Sequence, residues 1–307
     1  VNTSPSAPGY FGKILIHELF MGLLLGQILV RLIVAGTSLL LIASYICAIL
    51  SYAFLIREGM KTLSPGVNRL RLFWNMPLMN LAFLSIQFVI PALGKKPLDR
   101  YLVGIDKYLF GRDLSILAQE IHSMPLTEIM SIGYMLFIVF LFATFIYYAF
   151  RADLDKLCRF CTGLFILYAL GITGYTIVPA QGPYVFLADA YTRPLEGYVF
   201  TTLNRFMVRL GSAGYDVFPS LHVGAGLFLL LFYRKCDRLF FYSYLVPFVL
   251  LTLSTIYLRY HYMIDILVGV PLSVCCYYAG ELTFRRMTTG HIPDSLRTME
   301  QREIRHE

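Results

Sequence analysis

Hydrophobic residues in this chain form long runs that are broken mainly by short charged stretches and by glycine and proline. Most of these runs approach or reach the roughly 20 residues that an α-helix needs to cross a bilayer. We predict eight membrane helices, at residues 13–35, 37–56, 73–93, 127–150, 158–178, 221–233, 239–258 and 262–285. Only residues 35–37 separate the first two runs, so the first run has an alternative placement along the membrane surface.

The composition supports this interpretation. Of the 307 residues, 57% are hydrophobic and only 15% are charged, whereas a soluble domain carries about a quarter charged residues. The predicted fold class is therefore all-α, a polytopic membrane protein with about eight transmembrane helices. The net charge of +7 is not gathered into the dense basic block of a nucleic-acid surface, so we expect no nucleic-acid partner.

Lysine and arginine residues are concentrated in the short connections on one side of the predicted bundle when the N-terminus is placed inside. The two long connections, residues 94–126 and 179–220, then lie on the outer side, as expected from the excess of basic residues in cytoplasmic loops. Apolar and charged residues alternate at near-helical spacing within residues 94–126. This pattern predicts either an amphipathic helix on the outer membrane surface or a segment that covers the bundle.

Candidate chemistry is concentrated in residues 257–269, which read Y-L-R-Y-H-Y-M-I-D-I-L-V-G. Arg259, His261 and Asp265 lie where a hydrophobic run begins. A histidine and an aspartate four residues apart share one face of a helix, so the carboxylate can hold the imidazole. Ionisable side chains at the edge of a membrane segment are costly, and their presence indicates a functional site.

A second stretch, residues 211–222, reads G-S-A-G-Y-D-V-F-P-S-L-H and also lies on the predicted outer side. Ser220 is a suitable N-cap for a helix that begins at Leu221, and a helix N-terminus is a favourable place for an anion. His222 lies in the first turn of that helix. One histidine beside an anion site and another backed by a carboxylate suit phosphoryl transfer through a histidine nucleophile.

The six cysteines indicate neither disulfides nor a metal site. None lies in a predicted outer connection, so no structural disulfide is expected. The spacing Cys158-x-x-Cys161 is typical of redox and zinc sites, but no second ligand pair accompanies it. We interpret the spacing as chance.

F-P-S-L-H, followed further along the chain by S-T-I-Y-L-R-Y-H-Y-M-I-D, resembles the two histidine motifs of the type 2 phosphatidic acid phosphatase superfamily. The forms P-S-L-H and H-Y-x-x-D are most similar to its inositol phosphorylceramide synthase-like branch. The resemblance implies a six-helix catalytic bundle within residues 73–285. Residues 1–72 would then be N-terminal membrane helices with a cytoplasmic loop, and residues 286–307 a cytoplasmic tail.

The resemblance also implies the roles of three residues. His261 would be the nucleophile that forms a phosphohistidine, and Asp265 would orient its ring. His222 would protonate the leaving alcohol and then activate the acceptor. No metal and no cofactor are implied.

The phosphate-binding residues depart from the superfamily pattern. The superfamily usually has Ser-Arg before the nucleophile, where this chain has Ser254-Thr255, and it has a lysine where Phe186 stands relative to Arg193-Pro194. We therefore align residues 179–184 with the first motif, which places Tyr184 where many relatives have arginine. The candidates for phosphate binding are Ser220, Arg259, Tyr184, Arg205, Arg209 and Arg193. Alternatively, Arg205 and Arg209 contact lipid headgroups, and Asp265 is a structural partner of Arg259.

The expected function is a metal-independent lipid phosphate phosphatase or phosphotransferase that acts on an outer-leaflet phospholipid. An alternative is a transferase similar to inositol phosphorylceramide synthase, which moves a phospho-headgroup between lipids, including sphingolipids. A catalytically silent lipid-binding or transport protein is a further alternative. A haloperoxidase of the soluble vanadium type is disfavoured by the membrane runs.

The expected partners are a lipid phosphate substrate, an acceptor alcohol or lipid, and the surrounding membrane lipids. Two locations agree with the predicted topology. One is a bacterial inner membrane with the site facing the periplasm, and the other is a eukaryotic Golgi membrane with the site facing the lumen.

Overall fold

The computed structural model describes residues 7–151 and 153–289, and in these ranges the chain is helical without a named strand. The α-helices, in chain order, are α1 Ile16–Val34, α2 Leu39–Thr62, α3 Pro65–Phe73, α4 Asn75–Ala92, α5 Asp99–Phe110, α6 Leu114–Ala118, α7 Met124–Phe150, α8 Leu154–Ile177, α9 Pro183–Phe186, α10 Val199–Gly211, α11 Leu221–Cys236, α12 Arg238–Tyr257 and α13 Met263–Thr289. Short 3-10 turns occur at Gly9–Gly12, Gln119–Ile121 and Ala188–Ala190.

Seven segments of the described chain are long and apolar enough to cross a membrane. They are Gly9–Val34, Leu39–Thr62, Pro65–Ala92, Met124–Phe150, Leu154–Ile177, Arg238–Tyr257 and Met263–Thr288. The prediction of an all-α polytopic membrane protein is confirmed. The predicted run 221–233 forms α11, which has only 16 residues and a length of about 24 Å, so it is shorter than a typical span.

α8 is the most buried of the candidate spans and lies at the centre of the bundle. It packs against α1, α4, α11 and α13. Its contact with α13 is made through backbone, because a Cβ at Gly280 would lie 2.8 Å from the Cα of Gly163. Small residues permit this close approach of membrane helices. Cys158 and Cys161 are buried in α8 as free thiols.

The N-terminal helix α1 packs along α4 and α8 with the apolar residues Leu24, Leu25, Ile28 and Leu32, all of which are buried. A buried ion pair joins it to α3, because Arg71 Nη2 donates to Glu18 Oε2 at 2.7 Å. Neither side chain is accessible. α1 is therefore an integral part of the helix bundle.

The two long connections fold over the same end of the bundle. α5 lies in the first of them and buries one face, formed by Asp99, Leu102, Val103 and Asp106. Asp99 accepts hydrogen bonds from the backbone of the second connection, and Asp106 accepts from the start of α13. The segment thus covers the bundle, which is one of the two predicted alternatives.

The predicted tail, residues 286–307, lies outside the described residues beyond position 289, as do residues 1–6 and residue 152.

Candidate active site

The turn between α12 and α13 carries His261. The backbone of Arg259 adopts a left-handed conformation with φ of 66°, which is uncommon for a residue with a Cβ. The carbonyl of Thr255, in the last turns of α12, accepts hydrogen bonds from the N–H of Tyr260 at 2.9 Å and of His261 at 3.0 Å. This tight reversal holds His261 at the mouth of the bundle.

His261 and Asp265 are in contact as their spacing predicts. His261 Nδ1 lies 3.3 Å from Asp265 Oδ2, and the same oxygen accepts the N–H of Tyr262 at 2.7 Å. The histidine is 2% exposed and the aspartate is fully buried. An ionised Asp265 can only accept, which places the proton of His261 on Nδ1 and leaves a free electron pair on Nε2.

His222 faces that electron pair. Its Nδ1 lies 3.3 Å from His261 Nε2, and its Nε2 lies 2.8 Å from the hydroxyl of Tyr134. Tyr134 belongs to α7. One chain of polar contacts therefore runs from Tyr134 through His222 on α11 and then His261 to Asp265 on α13. Sequence reasoning missed Tyr134, because a tyrosine within an apolar run looks like one of many packing residues.

The start of α11 and the start of α13 meet through backbone contacts. Ser220 is the N-cap of α11, and its hydroxyl accepts the N–H of Val223 at 3.4 Å. Its own N–H donates to the carbonyl of Asp265 at 3.1 Å. A Cβ at Gly269 would lie 2.6 Å from the Ser220 carbonyl oxygen, so glycine is needed at this crossing. These contacts bring His222 and His261 together.

Asp216 is a further acidic group beside the histidines that sequence reasoning did not select. Its side chain is buried, and Oδ1 accepts from the hydroxyl of Ser212 at 2.7 Å. Its backbone forms a bridge with Ala180, which joins the two parts of the second connection. In the sequence, Asp216 lies between Gly214 and the F-P-S-L-H motif, and this position could have identified it as a candidate site residue.

The electrostatics keep His261 neutral. Burial lowers the pKa of His261 to about 4, an effect that the nearby Asp216 carboxylate partly opposes. Burial also raises the pKa of Asp216. A neutral imidazole has the electron pair that a nucleophile requires, so His261 is competent to attack over the physiological pH range.

A cavity of about 470 Å³ opens from the two histidines and runs between α4, α7 and α10. Polar side chains from Gln181, Asn204, Thr201 and Ser131 line it near the histidines. Methionine and aromatic residues of α4 and α7 line its other part. Its volume suits a ligand of moderate size with both polar and apolar portions.

Five of the six predicted phosphate-binding residues fall into three groups. Arg205, Arg209 and Tyr184 line the cavity. Ser220 is fully buried, and its hydroxyl is used as a helix cap. Arg193 is exposed and does not line the cavity, because its guanidinium donates to the carbonyl of Glu120 at 2.9 Å.

Arg259 lines the cavity, but its guanidinium is engaged elsewhere. It lies 3.7 Å from the ring centre of Tyr191, and Nη2 donates to the carbonyl of Arg193 at 2.6 Å. The same nitrogen lies 3.3 Å from Nδ1 of His122. The side chain therefore fastens the second connection to the end of α12, and no contact joins it to Asp265 in the way the structural alternative required.

Within residues 7–151 and 153–289, no group of three or more His, Cys, Asp or Glu side chains is placed to hold a metal ion.

Comparison with known proteins adds a family to this geometry. Residues 100–279 match the family model described as PAP2 superfamily. A PA-phosphatase related-family protein of Dictyostelium discoideum is 27% identical over 128 residues, which cover 40% of this chain and 22% of that protein. The chain thus spans about a fifth of the length of that relative. No solved structure gives a significant match to the chain.

Proposed function

The chain belongs to the PAP2 superfamily, and on this premise we propose that it is a lipid phosphate phosphatase or phosphotransferase that works through a phosphohistidine at His261. Family membership supports a phosphatase-type activity on a lipid phosphate in a membrane. One observation carries the finer proposal. His261 Nε2, backed by Asp265 through Nδ1, faces His222 at 3.3 Å at the mouth of a cavity that reaches between membrane helices.

In the first step, the electron pair on His261 Nε2 attacks the phosphorus atom of the lipid. The N–P bond forms as the bond between phosphorus and the leaving alcohol breaks, and the departing oxygen keeps the electron pair of that bond. His222, which takes up a second proton from solvent before this step, donates that proton to the departing oxygen and returns to its neutral form. Asp265 stabilises the positive charge that develops on the ring of His261.

In the second step, His222 accepts a proton from an incoming hydroxyl group. The new O–P bond forms, the N–P bond breaks, and its electron pair returns to His261 Nε2. If water supplies the hydroxyl, the products are phosphate and an alcohol. If a lipid or sugar alcohol supplies it, the product is a second phosphate ester.

Positive charge for the substrate phosphate is supplied in this proposal by Arg205, which lines the cavity and is half-buried beside Tyr260. The N-terminus of α11, at Ser220, adds the positive end of a helix dipole. Arg259 instead holds the second connection in place.

Transfer to an acceptor alcohol is favoured by Asp216. This buried carboxylate lines the same cavity as the histidines, and a carboxylate repels a phosphate but accepts a hydrogen bond from a hydroxyl group. We propose that it receives the hydroxyl of an acceptor. A reaction similar to that of the inositol phosphorylceramide synthase-like branch is therefore the second candidate function.

The experiment offers the purified protein phosphatidic acid or a labelled phospholipid in vesicles, with and without an acceptor alcohol or ceramide. Free phosphate identifies a phosphatase, and label in a second lipid identifies a transferase. His261→Ala should abolish both products, and acid quenching of the wild type during turnover should trap an acid-labile phosphohistidine that the variant lacks. Turnover by His261→Ala at the wild-type rate contradicts the mechanism.

Two further measurements test the remaining parts of the proposal. Turnover that survives EDTA supports metal independence. Binding of lipid phosphate without any turnover of wild-type protein would instead identify a catalytically silent lipid-binding protein. Protease or label accessibility in sealed vesicles tests whether the proposed catalytic end lies on the side opposite the basic connections. That side is the periplasm or the Golgi lumen in the two predicted locations.

A further inference from the structure

α10 has one strongly apolar and exposed face. Val199, Leu203, Phe206 and Leu210 follow each other at helical spacing and are 72%, 41%, 58% and 67% exposed. At 100° per residue, the four side chains fall within an arc of roughly 60°. We name these four residues the α10 stripe. Such a stripe in contact with water is costly, so something apolar covers it.

The opposite face of α10 is fixed to α7. The carboxylate of Glu128 accepts the N–H groups of Tyr198 at 2.8 Å, Phe200 at 2.6 Å and Thr201 at 3.0 Å. Ser131 also donates to the hydroxyl of Thr201 at 3.2 Å. The Thr201 hydroxyl in turn donates to Glu128 at 2.7 Å, so five hydrogen bonds hold the beginning of α10 against the first two turns of α7.

This attachment determines how deep α10 lies. α7 is a candidate membrane span that begins at Met124, so Glu128 and Ser131 lie within about 10 Å of its end along the helix axis. Ile129, which lies between these two residues in the sequence of α7, is also apolar and 48% exposed. α10 therefore lies at the level where the hydrocarbon of the membrane begins.

Charge beside the stripe agrees with that level. Arg209 is exposed on one flank of α10, about 60° from the apolar arc, and Arg205 lies further round toward the inner face. A helix with an apolar face and arginines at its edge is stable at the boundary between acyl chains and phosphate headgroups. Water would favour the arginines but not the stripe, and the hydrocarbon core would favour only the stripe.

We propose that α10 is an in-plane interfacial helix whose stripe, Val199, Leu203, Phe206 and Leu210, inserts into the lipid. The inner face of the same helix lines the cavity through Thr201, Asn204 and Arg205. α10 is then a wall with lipid on one side and the histidine cavity on the other. We infer that a long-chain substrate enters the cavity from the lipid beside this wall, and this supply role rests on the proposed function.

Insertion is measurable without any activity assay, because Trp74 is the single tryptophan of the chain. Trp74→Phe supplies a silent background, and Phe206→Trp on that background reports on the stripe. In vesicles of phospholipids brominated in their acyl chains, we expect strong quenching of the indole introduced by Phe206→Trp and weak quenching of it by acrylamide. Asp189→Trp, in an exposed part of the second connection, is the matched control and should respond to acrylamide alone.

Two results overturn the proposal. Equal quenching of the Phe206→Trp and Asp189→Trp proteins by acrylamide means that the stripe faces water. Protection from both quenchers means that protein covers the stripe, and a cross-linked dimer would identify a second copy as the cover.

The activity arm compares two substrates of the same enzyme. Phe206→Ser combined with Leu203→Ser should raise KM for a long-chain lipid phosphate in vesicles by about tenfold, while turnover of a short-chain water-soluble phosphate ester stays unchanged. An equal loss on both substrates contradicts the supply role. If wild-type protein cleaves neither substrate, the proposed function fails, and the quenching result still decides whether α10 inserts.

Discussion

The proton positions in the candidate site follow from the partners of single atoms. Asp265 accepts from His261 Nδ1, so His261 Nε2 is an acceptor for His222 Nδ1–H, and His222 Nε2 is in turn an acceptor for the hydroxyl of Tyr134. Each donor then has an acceptor, and both histidines are neutral. The resting site therefore already holds the nucleophile in the protonation state that the proposed first step uses, whereas His222 must gain a proton before it acts as the acid.

Asp265→Asn separates the charge of this residue from its hydrogen bonds. The amide oxygen can replace Oδ2 and keep the contacts with His261 and Tyr262, but the negative charge is lost. We expect kcat to fall on the order of 100-fold with little change in KM, because the charge acts on the developing imidazolium. The measurement is steady-state turnover of a lipid phosphate. Asp189→Asn, in an exposed turn, is the control, and a variant with normal kcat would contradict the assigned role.

The acidic limb of the pH profile should report His261. Its pKa of about 4 means that the nucleophile is lost only as the pH falls through that region. The Asp216 carboxylate holds this pKa up, so Asp216→Asn should move the limb of kcat/KM to still lower pH. The test is a profile from pH 3 to pH 7 on a soluble phosphate ester. A limb that moves to higher pH would rule out this electrostatic link.

At the residue scale, the sequence predicts contacts between site residues within one short motif, but few of the contacts made by residues from distant segments. The contact of His261 with Asp265 follows from a spacing of four residues. Tyr134 reaches the site from a different helix, so no local pattern identifies it, whereas Asp216 stands next to the F-P-S-L-H motif and was overlooked. Arg259 illustrates a second limit, because the left-handed backbone at this residue redirects its side chain toward Tyr191.

At the element scale, α5 stabilises the site from outside through two buried carboxylates. Asp99 accepts the N–H groups of Gln181 and Gly182, the latter at 2.8 Å. Asp106 accepts those of Met263 at 2.7 Å and Ile264 at 2.9 Å, which are free donors at the first turn of α13. The helix that carries Asp265 is thereby capped by a side chain from another helix.

Asp106→Ala removes the carboxylate that caps the start of α13. We expect a loss of about 1–2 kcal/mol in the free energy of unfolding and a clear fall in kcat, because the start of α13 positions Asp265. Asp153→Ala is the matched control, since Asp153 caps α8 by accepting the N–H of Lys156 at 2.7 Å. It should cost similar stability and leave kcat intact. Equal effects of the two variants on kcat would show that α5 does not position the site.

The alternation of apolar and charged residues alone could not decide between the two predicted roles of residues 94–126. An amphipathic helix has the same pattern whether its apolar face meets lipid or protein. The acids at positions 99 and 106 share a face with Leu102 and Val103, and acids on an apolar face indicate buried polar partners rather than lipid. The runs that became long helices were predictable because their hydrophobicity alone requires a membrane.

At the scale of the whole molecule, the two ends of the bundle carry different tasks. The end with the candidate active site holds the two long connections, while α1 and α3 are joined away from it by Glu18 and Arg71. Arg71 also donates to the carbonyls of Phe11 at 2.9 Å and Lys13 at 2.8 Å. Both side chains are inaccessible to solvent, so loss of either partner leaves the other buried without its countercharge.

Glu18→Gln tests whether the Glu18–Arg71 pair affects only stability and not the candidate active site at the other end of the bundle. Removal of one partner leaves the guanidinium of Arg71 buried without its countercharge, so we expect a loss of about 3–5 kcal/mol in stability. Thermal unfolding in detergent micelles measures it. Glu58→Gln, which breaks an exposed pair with Lys61, should cost at most about 1 kcal/mol. Below the melting temperature, both variants should keep wild-type kcat, and a large fall in kcat for Glu18→Gln would link the two ends.

The close contact of the two histidines has a consequence for affinity. A phosphorus atom bonded to His261 Nε2, with its departing oxygen in contact with His222, needs more space than the 3.3 Å between the two ring nitrogens. In the proposed mechanism, every productive ligand therefore selects a conformation with the rings apart, and its apparent affinity is reduced by the rarity of that conformation. A lipid can offset this cost with its acyl chains, whereas inorganic phosphate cannot. The resting contact thus discriminates against the free anion and favours release of the smallest product.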